Sequence, residues 1–155
     1  MAGRIEARLK ELGITLPQAA TPVANYVPFV ITGNLVFISG QGPMGPKGVA
    51  FAGKLGRDFD VEQGKEAARL TALNVIAQLK NAVGGDLDRV TRVVKLLGFV
   101  NSTPEFNQQP FVINGASDVM VEIFGDAGRH ARSAVSAPSL PVDIAVEVEA
   151  IFEIK

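Results

Sequence analysis

The stretch Ile144-Ala145-Val146-Glu147-Val148-Glu149-Ala150-Ile151-Phe152-Glu153-Ile154 repeats with a period of two. A β-strand sends successive side chains to opposite faces. Val146, Val148, Ala150, Phe152 and Ile154 therefore share one face, and Glu147, Glu149 and Glu153 the other. This is a half-buried strand, so the fold needs a sheet with one packed side. Upstream, Ala131 to Ala137 reads as a short strand, and Pro138 and Pro141 bracket the turn that follows it. Val90 to Asn101 carries Val and Leu on both faces and is expected to be a central strand covered on both sides.

The cover comes from two helices. Val61 to Val83 places Ala68, Ala72, Val75, Ile76, Leu79 and Val83 on one face and ends at Gly84-Gly85. Phe106 to Phe124 is a second helical region, in which Pro110 and Gly115 are expected to interrupt the regularity. Near the start, Val27 to Thr32 and Leu35 to Ser39 flank Gly33-Asn34, a two-residue hairpin signal. A short strand is expected near Phe51 to Leu55. Ile5, Leu9 and Leu12 mark a small amphipathic helix over Arg4 to Leu12, stopped by Gly13. The expected layout is an α+β single domain, helices on one face of a mixed sheet, with residues 1–20 as N-terminal helix and linker and 21–155 as the domain proper. A sheet this apolar with one uncovered face predicts oligomerisation.

Composition narrows the function. The 155 residues are 47% apolar and 20% charged, as in a folded globular chain. Fifteen basic and sixteen acidic side chains leave a formal charge of −1, which argues against a general nucleic-acid binder. Without cysteine, disulfides, thiolate metal sites and a Cys nucleophile are excluded, and one histidine cannot build a His-rich metal centre. No metal or cofactor is expected. No apolar run is long enough to span a bilayer, and Met1 to Glu6 has no signal-peptide core, so a cytoplasmic protein without membrane partners is the expectation.

A few residues could carry chemistry. Arg132 sits among small residues, and its planar fork suits a carboxylate or phosphate. The plainer reading is a structural ion pair with Glu147 or Glu149 on the neighbouring strand. His130 is expected to point away from Arg132 and to be structural. Tyr26, the single tyrosine, reads as a packer at the core edge. Ser39-Gly40-Gln41 is either a strand terminus or a strand end offering a hydroxyl and backbone N–H groups to an anion. Asn114 reads as a helix cap. The Gly40 to Gly48 loop lacks the Gly-Lys-Ser/Thr ending of a phosphate cradle.

Taken together, Ser39-Gly40-Gln41, Asn114, Ala131-Arg132-Ser133, Leu140-Pro141 and the final Glu-alternating strand resemble the RidA (YjgF) family of reactive-intermediate deaminases, also labelled L-PSP endoribonucleases. The resemblance runs from about Thr21 to Ile154. It implies a chorismate-mutase-like fold and a homotrimer with ligand clefts between subunits. It also implies hydrolysis of 2-imino acids to 2-keto acids and ammonia, with a small imino or keto acid as the ligand. In that frame Arg132 and Glu147 are the catalytic pair. Tyr26, Ser39, Gly40, Gln41, Asn114 and Ala134 line the cleft, Ala134 standing where the family often has cysteine. His130 replaces a common proline, and the N-terminal helix and the Gly42 to Gly48 loop are further departures. A non-catalytic trimeric binder of small carboxylates is the alternative, and a ribonuclease the less favoured one.

Overall fold

The computed structural model describes residues 3–155. Met1 and Ala2 of the expected 1–20 segment lie outside the described residues. The elements run α1 (Arg4–Glu11), β1 (Phe29–Thr32), β2 (Leu35–Gln41), β3 (Met44–Gly45), β4 (Gly48–Val49), α2 (Val61–Ala82), β5 (Val90–Asn101), α3 (Gln109–Phe124), β6 (Ala131–Ala137) and β7 (Val146–Ile154). Five strands form one sheet in the order β1-β2-β7-β5-β6. β6 runs parallel to β5, and the other pairings are antiparallel. Parallel neighbours need a long crossover, and α3 supplies it.

The sheet is mixed and both long helices lie on one side of it. Val146, Val148, Ala150 and Phe152 of β7 are buried with Val93, Leu96 and Val100 of β5 and Val36 and Ile38 of β2. Above them sit Ala68, Ala72, Val75, Ile76 and Leu79 of α2 and Val112, Ile113, Ala116 and Val119 of α3. α2 begins with a capping box: the Asp60 carboxylate accepts from the Gln63 amide, and the Gln63 side chain accepts from the Asp60 amide.

β5 is an interior strand as expected, paired with β7 on one edge and β6 on the other, and β7 holds the middle of the sheet. Three expectations are corrected. The outer face of β5 is only partly covered, which is why Leu97 and Phe99 are half-buried. No strand forms at Phe51 to Leu55; Ala52 bridges Ile144 and Leu55 bridges Phe59 and Ser102, so the segment serves several neighbours and cannot keep one ladder. The short extra strands are instead β3 and β4, a small hairpin inside the glycine-rich loop.

α3 is the last correction, for neither Pro110 nor Gly115 breaks it. Pro110 sits in the first turn, where a helix has no partner for that N–H. Gly115 is where α2 comes closest: a Cβ there would collide with the Lys65 carbonyl oxygen.

α1 is tied down from a distance. Gly3 has no capping side chain, and the Asp88 carboxylate accepts from the Ile5 and Arg4 amides, both at 2.8 Å. These first-turn N–H groups have no helical acceptor. Ile5 and Leu9 are buried, and Lys80 pairs with Glu6 at 2.8 Å. The amides of Ile5 and Arg4 hold the Asp88 carboxyl below its ordinary range. Its contribution to stability is therefore present above the unfolded carboxylate pKa and is lost as pH falls through the lowered folded value. Asp88→Ala should cost about 1 kcal/mol and speed amide exchange in Arg4–Glu11 ahead of α2 and α3. Exchange in α1 that matches the wild type would show that the clasp is not what holds the helix.

Candidate functional site

Register decides where the candidate residues point. Leu96 faces both Arg132 on β6 and Ala150 on β7, and Gly98 faces Ala134 and Val148. Leu96, Ala150 and Val148 are buried under the helices. Arg132 and Ala134 therefore lie on the helix side of the sheet. Phe99 faces Glu147 and Leu97 faces Glu149, on the other side. One chain thus keeps Arg132 and Glu147 on opposite faces, and the alternative ion pair of Arg132 with Glu147 or Glu149 does not form within it.

Arg132 has different partners. Its Nη1 donates to Asn114 Oδ1 at 2.9 Å and to Ser117 Oγ at 3.2 Å, and its Nη2 donates to the Pro110 carbonyl at 3.3 Å. All three acceptors are neutral. Burial lowers the pKa of Arg132, and Asp118 opposes this from α3. The guanidinium stays a cation. Its bonds to the described residues engage three of its five N–H groups, leaving Nε–H and one Nη2 proton free for an outside acceptor. Those two nitrogens match the spacing of a carboxylate.

Asn114 corrects its reading as a cap. It lies inside α3, beyond the first turn where a cap would act, and its side chain serves Arg132. His130 is corrected too. It is two residues from Arg132, and a period of two brings such residues to the same side. Its Nε2 meets Ser117 Oγ at 2.8 Å, the hydroxyl that also receives Arg132. Ser117 was not singled out in the sequence. The signal for it was its three-residue spacing from Asn114, which puts both on one helix face.

The second cluster is on the open face. β2 carries a bulge between Ile38 and Gln41, where Ser39 and Gly40 together oppose one residue of β7. This brings Gly40 against Glu147, whose carboxyl carbon would stand 3.0 Å from a Cβ on Gly40. A larger residue there would displace the carboxylate. Ser39 donates to the Val27 carbonyl at 2.7 Å, and so fixes the segment that carries Tyr26. Tyr26 is 48% exposed rather than packed. Gln41 is buried, donating to the Ser39 carbonyl at 3.0 Å. Burial pushes the Glu147 carboxyl above its ordinary value, and Glu149 adds to the shift.

Around Glu147 the open face is apolar. Val30, Phe37 and Val135 are exposed, while Leu35, Leu97, Phe99 and Ile151 are half-buried. The turn entering β7 is strained: Val142 has φ 49° and Asp143 φ 60°, a region that a β-branched residue rarely adopts. It is held by the Asn101 amide, which donates to Asp143 Oδ1 at 3.0 Å and to the Ile144 carbonyl at 3.1 Å.

Helices on one face of this mixed sheet define a chorismate-mutase-like α+β domain. The model of the YjgF/chorismate-mutase-like family, which carries an endoribonuclease label, matches residues 6–154, and the chain belongs to that family. It is 49% identical over 154 residues to Protein TCP17 of Trypanosoma cruzi, covering 99% of this chain and 96% of that one. It is 31% identical over 144 residues to the RutC family protein PH0854 of Pyrococcus horikoshii, covering 92% and 97%. The crystal structure of Atu1372 from Agrobacterium tumefaciens, a protein of unknown function, matches with a TM-score of 0.91 at 54% identity over 97% of this chain and 92% of that one. The YjgF gene product of E. coli matches with a TM-score of 0.62 at 28% identity over 90% and 94%. No helix of the described residues is long and apolar enough to cross a membrane.

A carboxyl whose folded pKa is raised destabilises the fold once ionised. Stability is then greatest below the unfolded pKa and declines as pH rises through the folded one. Glu147→Gln should therefore raise Tm at pH 7, with a gain that shrinks toward pH 4. A gain that does not change with pH would show that burial of the charge is not the cause.

Proposed function

We propose that the protein hydrolyses 2-imino acids to 2-keto acids and ammonia, in clefts shared between the subunits of a homotrimer. The observation that carries this reading is the Arg132 guanidinium, held by three neutral acceptors with its Nε edge free. Such a group binds a carboxylate without first breaking an ion pair. The apolar open face around Glu147 supports a second copy as its cover. A neighbouring subunit then brings its Arg132 to the Glu147, Ser39, Gly40, Gln41 and Tyr26 of the first, with Asn114 and Ala134 arriving beside Arg132.

In this cleft Arg132 grips the substrate carboxylate and orients the C=N carbon. Water adds to that carbon. Glu147 takes one proton from the water and passes it to the imine nitrogen, giving a carbinolamine; it then takes the hydroxyl proton and passes it to the same nitrogen, so the C–N bond breaks with loss of ammonia as the C=O forms. Burial suits Glu147 to this exchange, because a raised pKa lies closer to neutral pH. Imines also hydrolyse in water unaided, so positioning and charge placement supply enough acceleration.

The test follows keto-acid release from freshly generated 2-iminopropanoate, with semicarbazide as competing trap. Arg132→Ala should lose about 100-fold or more in kcat/KM, and Arg132→Lys should recover little of it. Wild type that binds pyruvate without accelerating hydrolysis would favour a carboxylate-binding protein instead. The shared cleft is tested by mixing Arg132→Ala and Glu147→Gln chains after unfolding. Mixed trimers should restore about a quarter of the clefts. A cleft within one chain would restore none.

A further inference from the structure

We propose that Ser117 and His130 are positioning residues for Arg132, in a fixed relay that runs from the Gly128 carbonyl through His130 and Ser117 to the guanidinium. This rests on the carboxylate-binding reading above and assigns the residues that aim its central group.

The direction of each hydrogen bond follows from chemistry. His130 Nδ1 lies 2.6 Å from the Gly128 carbonyl, which can only accept. Nδ1 therefore carries the proton. In a neutral imidazole Nε2 is then an acceptor. The Ser117 hydroxyl, 2.8 Å away, donates to it. With its hydrogen committed, Ser117 Oγ turns lone pairs outward, and Arg132 Nη1 donates to one of them at 3.2 Å. Arg132 Nη1 also donates to Asn114 Oδ1, one helical turn away from Ser117. Both protons of Nη1 are thus anchored to α3, and the Nε edge has one orientation. A serine hydroxyl without His130 could rotate or bond back to its own helix.

The surrounding charges agree with a neutral His130. Burial holds its pKa below the ordinary histidine value, and the Arg132 cation lowers it further, while the Gly128 carbonyl works the other way. Asp118 on α3 acts on Arg132, and Arg129 pairs with Asp126 at 3.5 Å. The histidine is the chain's only one, so its nitrogen resonances are unambiguous.

The experiment has two readouts on the full chain. ¹⁵N NMR of wild type at pH 7.5 should show the Nδ1–H tautomer, and Arg132→Ala should raise the His130 pKa by removing a like charge. For 2-iminopropanoate hydrolysis, Ser117→Ala and His130→Phe should raise KM about tenfold while kcat changes less than about threefold. A Nε2–H tautomer, or an unchanged KM in folded Ser117→Ala, overturns the relay. Pyruvate titrations give the same comparison without turnover. If wild type binds pyruvate but hydrolyses nothing, the deaminase reading fails, and a roughly tenfold weaker Kd in Ser117→Ala still supports the relay. Equal Kd values overturn it, as does a wild type that binds no pyruvate at all.

Discussion

The alternation of β7 is the constraint on which the remaining structure depends. It is hydrogen-bonded on both edges, so it cannot rotate to hide its acidic face. Val146, Val148, Ala150 and Phe152 are locked under α2 and α3, and Glu147 and Glu149 are locked outward among apolar neighbours. A shift of one residue would put the carboxylates into the core, at a cost no local adjustment could offset. The same register, carried through β5 to β6, sends Arg132 to the helix side. Two groups of opposite charge are thereby kept apart within one chain, each left with capacity for an outside partner.

That separation explains the character of both clusters. Arg132 is oriented by Asn114, Ser117 and the Pro110 carbonyl, all of which align the guanidinium without neutralising it. Glu147 is held beside Gly40 by a bulge, in surroundings that favour its protonated form. Neither arrangement is the most stable use of a charged side chain. An ion pair or a solvated carboxylate would cost less. That penalty is offset by a core with fully buried Phe152, Leu96, Ile113 and Val75.

Much of this was legible in the residues. Ala131 to Ala137 and Val90 to Asn101 are strands over the expected residues, and the Val61 helix ends one residue early. Each has a strong period or a long β-branched run, and local preference agrees with the fold there. The misreadings fall where a single contact overrides local preference. Gly115 breaks no helix because α2 needs the space it leaves. Asn114 caps nothing because Arg132 takes its side chain. Ser117 is an ordinary helix serine until the chain places His130 and Arg132 beside it.

By itself, the sequence determined the class of the fold and the family, and it singled out Arg132, Glu147 and Asn114 as candidates while passing over Ser117. These depend on periodicity, turn residues and residue type, all local properties of a chain. Tertiary structure alone decided which of those side chains meet. Strand order put β7 between β2 and β5, and parallel pairing put β6 outside β5. Contact across a sheet depends on register between segments far apart in the chain, and residue spacing does not encode it. For that reason Arg132 and Glu147, which the sequence left open as an ion pair, stand on opposite faces of the sheet.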